Sequence, residues 1–126
     1  MAAASPIIAP EALHARLGSD DLRIVDVRWV LGSPSAGRTA FDAGHIPGAI
    51  FLDLDTDLVA AEGPGRHPLP PVETFVARLE AVEIGVEHDV VVYDDAGGTT
   101  AARLWWMLDD LGHQQVRVLD GGLAAW

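Results

Sequence analysis

The stretch Val90-Val91-Val92-Tyr93-Asp94-Asp95-Ala96-Gly97-Gly98-Thr99-Thr100-Ala101-Ala102-Arg103-Leu104-Trp105-Trp106 decides the fold. Three valines and a tyrosine favour an extended strand, a short acidic loop with two glycines interrupts it, and helical spacing follows. Ala101, Leu104, Trp105, Leu108 and Leu111 recur with the spacing of one buried helix face, and Gly112 suits the position just past the end. Trp106 and Met107 then face away from that stripe. The loop from Asp94 to Gly98 is thereby set at a strand's carboxyl end and a helix N-terminus, where open α/β folds present a reactive group or an anion. It holds the carboxylates of Asp94 and Asp95 and no thiol, so it reads as a cradle of backbone N–H groups left empty.

Working outward, the same alternation recurs. Pro10 to Leu17 reads as a short helix and Leu22 to Val27 as a strand; Arg38 to Ala43 gives one or two helical turns with Phe41 as core anchor. Ala49 to Leu52 is a short strand. A helix begins at Pro71 and runs to Val82, with Val72, Phe75, Val76, Leu79 and Val82 as its apolar stripe and Gly85 as its stop. Val116 to Leu119 is a further strand, and Asp120-Gly121-Gly122 a turn leading to Leu123 and Trp126. No internal repeat interrupts the series. It predicts one domain over residues 1–126, a three-layer α/β fold with a mainly parallel sheet flanked by helices.

Composition removes several functions. With eight arginines, no lysine and a net charge of −11, the chain lacks the basic surface that nucleic acid requires. Cysteine is absent, which excludes disulfides, zinc–thiolate sites and thiol chemistry within the chain. No apolar run is long enough to span a membrane and the opening residues do not read as a secretion signal, so a cytoplasmic protein is expected. No cofactor is called for. Adjacent Asp94 and Asp95 without a third ligand make a poor magnesium site, and no metal is expected.

Among the remaining candidates, Asp26 and Arg28 close a strand and read as a scaffold ion pair. His45 and Gly48, in Gly44-His45-Ile46-Pro47-Gly48-Ala49, belong to a tight turn that the histidine ties to its neighbours. His67 lies in the Pro- and Gly-rich loop from Glu62 to Pro71 and is free to face solvent or a partner. Ile50-Phe51-Leu52-Asp53-Leu54-Asp55-Thr56 has the shape of an aspartyl-phosphatase motif, with Asp53 as nucleophile and Asp55 as acid. No lysine is available to stabilise a phospho-intermediate, which weighs against that reading.

Taken together, Asp26-Val27-Arg28, Gly44-His45-Ile46-Pro47-Gly48-Ala49, Val91-Val92-Tyr93 with its loop, and Leu119-Asp120-Gly121-Gly122-Leu123-Ala124-Ala125-Trp126 resemble the rhodanese sulfurtransferase family. More narrowly, Phe51-Leu52-Asp53-Leu54-Asp55, Arg66-His67-Pro68-Leu69-Pro70 and Ala102-Arg103-Leu104-Trp105-Trp106-Met107 look like the amino-terminal half of the two-domain thiosulfate and 3-mercaptopyruvate enzymes. The resemblance implies sulfur transfer through a cysteine persulfide, from thiosulfate or 3-mercaptopyruvate to cyanide or a thiol. Asp94 stands at the family's cysteine position, so the reacting cysteine is expected in a carboxyl-terminal catalytic domain of the same protein, and this chain is expected to be its silent partner and a fragment of it. The resemblance also implies that Asp55 and His67, with the Asp94–Asp95 loop, face that partner, and that Asp26, Arg28, His45, Gly48, Asp120, Gly121 and Gly122 are structural. A free-standing interaction module is the alternative.

Overall fold

The computed structural model describes residues 5–60, 62–63 and 67–126. Five parallel strands, β1 (Ile7–Ile8), β2 (Leu22–Asp26), β3 (Ile50–Phe51), β4 (Asp89–Tyr93) and β5 (Val116–Leu119), form one sheet in the order β1-β5-β4-β2-β3. The helices are α1 (Pro10–His14), α2 (Ala36–Ala43), α3 (Val72–Ala81), α4 (Thr99–Asp110) and α5 (Gly122–Ala125). Strand β4 is central, and Val90 to Tyr93 are fully buried because both faces of a parallel sheet are covered. The three-layer α/β expectation holds.

The two faces have separate cores. One gathers Val25, Val27, Leu52, Leu58, Phe75, Leu79, Val90, Val92, Leu104 and Leu108; the other gathers Ile8, Leu13, Ile24, Ile46, Val91, Tyr93 and Leu119. Alternate residues of β2 and β4 thus supply opposite cores, as the two-residue period of a strand requires. Strand order reverses direction between β2 and β4, since β2 leads on to β3 at one edge while β4 leads on to β5 toward the other. The carboxyl ends of these two strands flank the crevice where α/β sheets place their sites.

Several local expectations are corrected. Met107 is buried and Leu111 is exposed, the reverse of the predicted stripe; Trp106 is exposed as expected. Helix α4 ends at Asp110, so Leu111 has already left the helix and follows the chain toward solvent. Val72, at the first position of α3, is likewise exposed. Helix α3 ends at Ala81, one residue short of the expected Val82, and Glu83 adopts the left-handed conformation at φ 62°. Strand β1 was not expected from the sequence, because two residues offer no periodicity to read.

Candidate functional site

At the carboxyl end of β4 the cradle is present, but it is full. The Asp94 carboxylate turns inward and is 1% exposed. It accepts N–H bonds from Ala96 at 3.0 Å, Gly98 at 2.9 Å, Thr100 at 2.9 Å and Ala101 at 2.8 Å. Gly98, at φ 89°, is the residue at the N-cap position, but it has no side chain to cap with; Asp94 does that work from four residues upstream. A carboxylate at a helix N-terminus is favoured by the dipole as well as by the free N–H groups. The expectation of an empty cradle is therefore corrected. Asp95 is exposed and acts through its charge on Arg28.

The turn after β5 closes over this loop. Leu123 N–H donates to the Asp94 carbonyl at 3.0 Å, and a Cβ on Gly122 would lie 2.6 Å from that same oxygen. Gly122 also has φ 61°, so both close approach and backbone conformation demand glycine there. Asp120 is exposed, and its N–H joins the sheet edge through Ile8.

Beside the loop, at the end of β2, Asp26 is fully buried and holds Arg28 through its backbone N–H at 2.9 Å, Nε at 3.0 Å and Nη2 at 2.8 Å. The hydroxyl of Tyr93 donates to Asp26 at 2.8 Å and accepts the Ile46 N–H at 3.2 Å. Burial, with the neighbouring Asp26 charge, pushes the Tyr93 phenol well above its ordinary range. For Arg28, desolvation opposes the charged form, but the Asp26 bonds prevail and its pKa is raised. Arg28 Nη2 also donates to the Gly44 carbonyl at 2.6 Å, tying in the turn that carries His45 and Gly48. His45 is exposed, stacks on Phe41 at 3.8 Å, and bonds through Nδ1 to the Phe41 carbonyl at 2.7 Å; Gly48 sits in the turn at φ 83°. These groups bond to one another and to backbone, which is the pattern of a scaffold.

A different arrangement lies beyond β3. In the loop after Phe51, Leu54 and Leu58 are buried anchors, and three alternating aspartates stand between and around them. The Asp57 carboxylate accepts the Asp53 N–H at 2.8 Å, and the Asp53 carboxylate accepts the Asp55 N–H at 2.9 Å. Desolvation raises the pKa of Asp53, with Asp55 and Asp57 adding repulsion. Two of the three carboxylates thus serve the backbone of their own loop. Asp55 is left over. It accepts Trp29 Nε1–H at 2.9 Å, and its other oxygen lies 3.5 Å from His67 Nε2. The Trp29 and His67 rings meet in a T-shaped arrangement, with 5.2 Å between centroids and 84° between planes.

These side chains line a cleft of about 620 Å³ together with Thr56, Val59 and Arg78. The side chains of Asp55 and His67 are 33% and 23% exposed, so both are held and both are reachable. The structure therefore brings Asp55 and His67 together in one cleft, and the Asp94 carboxylate is not among the residues that line it. The Arg66 part of the sequence motif falls outside the described residues. Trp29 and Arg78 were not anticipated; an aromatic after Asp26-Val27-Arg28 carries no signal until the loop is seen folding back.

The model of the rhodanese-like domain family matches residues 9–126. A probable 3-mercaptopyruvate sulfurtransferase of Pseudomonas aeruginosa is 44% identical over 124 residues, covering 95% of this chain and 44% of that protein. Among solved structures, the 3-mercaptopyruvate sulfurtransferase from Leishmania major aligns with a TM-score of 0.86 at 34% identity, over 98% of this chain and 35% of its own. SseA from Escherichia coli aligns with a TM-score of 0.87 at 30% identity, over 98% of this chain and 47% of its own. The chain thus spans less than half the length of each of these relatives.

Proposed function

Given that this chain belongs to the rhodanese-like domain family, we propose that it is the non-catalytic domain of a two-domain sulfurtransferase using thiosulfate or 3-mercaptopyruvate. The observation that carries this is the Asp94 carboxylate seated in the N–H cradle after β4. Sulfur transfer requires a soft thiolate that attacks the sulfane sulfur, expels sulfite or pyruvate, and holds the atom as a persulfide for a cyanide or thiol acceptor. This chain has no cysteine. Its aspartate is a hard nucleophile whose oxygens are already bonded to four N–H groups, so the site is chemically silent.

In this reading a carboxyl-terminal rhodanese domain of the same cytoplasmic protein supplies the thiolate, and the Asp55–His67 cleft faces it. An imidazole backed by a carboxylate is suited to donate a hydrogen bond to an anionic donor. Incubation of the purified chain with thiosulfate and cyanide should yield no thiocyanate; turnover by the cysteine-free protein would overturn the silent assignment. In the full-length protein, His67→Ala and Asp55→Asn should each lower kcat/KM roughly 10- to 100-fold. Wild-type values in both variants would refute the role of the cleft and leave this domain a structural one.

A further inference from the structure

Helix α4 sends one side chain into the wall behind the cleft. Arg103 donates from Nη2 to the Leu58 carbonyl at 2.7 Å and to the His67 carbonyl at 2.9 Å, with Nε reaching the Leu58 oxygen at 3.3 Å. Leu58 lies three residues after Asp55, in the same short loop. One guanidinium therefore grips the two loops that bring Asp55 and His67 face to face. Among the described residues the loops share one further backbone tie, from Ala60 N–H to the Pro68 carbonyl at 2.8 Å.

The choice of residue is informative. Among the described residues no carboxylate forms an ion pair with Arg103, and desolvation lowers its pKa. A part-buried cation bonded only to carbonyls is costly to fold around, and an apolar side chain would serve packing alone at lower cost. What arginine adds is a rigid planar fork whose several N–H groups fix two acceptors at once; a lysine ammonium, a compact point charge, lacks that geometry. The side chains of the pair are anchored differently, Asp55 by Trp29 Nε1–H and His67 by T-shaped contact with the Trp29 ring. The His67 carbonyl accepts from Arg103 Nη2, and the neighbouring Pro68 carbonyl from Ala60 N–H.

We propose that Arg103 is the positioning residue of the cleft, setting His67 against Asp55 through the backbone of both loops. Its relevance to sulfur transfer rests on the function proposed above, but the test does not use activity. In the purified chain, NMR should show cross-relaxation between the His67 and Trp29 rings and slow exchange of the Trp29 indole N–H. Arg103→Ala should abolish the first and speed the second about tenfold or more, while amides of β2 and β4 keep their protection. Adding millimolar guanidinium to Arg103→Ala should restore the contact, and Arg103→Lys should recover it only in part. Unchanged cross-relaxation and indole exchange in Arg103→Ala would overturn the assignment. So would loss of protection in β2 and β4 together with the cleft, since Arg103 would then support the whole fold. Because these readouts need no sulfur donor, they stand or fall separately from the kinetics of His67→Ala.

Discussion

The Asp94 loop and the Asp55 cleft each put a carboxylate at the carboxyl end of a parallel strand, yet they treat it in opposite ways. Asp94 is 1% exposed and surrounded by four backbone donors. Asp55 has one indole donor, a histidine at 3.5 Å, and an open side toward the cleft. A carboxylate with its lone pairs committed holds structure; one with lone pairs to spare is available to a ligand. The contrast separates a carboxylate spent on its own loop from one that faces a cleft.

The largest effect should come from Asp94→Ala. It strands several N–H groups at the start of α4 and removes the favourable charge there, a loss of about 3–5 kcal/mol by analogy with broken buried charge networks. Urea unfolding with an unchanged slope would report it as a lower midpoint. A loss below about 1 kcal/mol would mean that water replaces the carboxylate, and the distinction between committed and available groups would fail.

Asp55→Asn should be milder, within about 1 kcal/mol of wild type, because an amide oxygen still accepts the Trp29 indole N–H. If it destabilises as much as Asp94→Ala, the cleft is a buttress of the fold rather than a site.

The smallest effect sharpens the comparison inside the acidic loop. Burial lifts the Asp53 pKa above the ordinary 3.8, so its proton is held more tightly in the folded state than in the unfolded one. Stability contributed by the protonated form is present below the unfolded pKa and lost as pH rises through the raised folded value. Asp53→Asn should therefore gain a little stability at pH 7, under about 1 kcal/mol, and nothing at pH 3. Thermal melts at the two pH values would show the crossover; an equal gain at both would place the cause elsewhere than in the carboxylate charge.

Much of this was legible in the chain alone. The valine run, the glycine loop and the following helical spacing specified strand, turn and helix, because these signals are local and periodic. The buried Asp26–Arg28 pair could be read for the same reason, since its partners lie two residues apart. The exposure of Leu111 could not, because it turned on where α4 stops.

What the sequence determined by itself was the order of elements, the absence of a thiol, and an aspartate in the loop after β4. Only the tertiary structure decided which way that aspartate turns, and that Trp29, Asp55, His67 and Arg103 converge from four separate segments. The reason is physical. Backbone periodicity is encoded within a few residues, whereas the satisfaction of a buried donor or acceptor depends on whichever group the packed chain brings within about 3 Å of it.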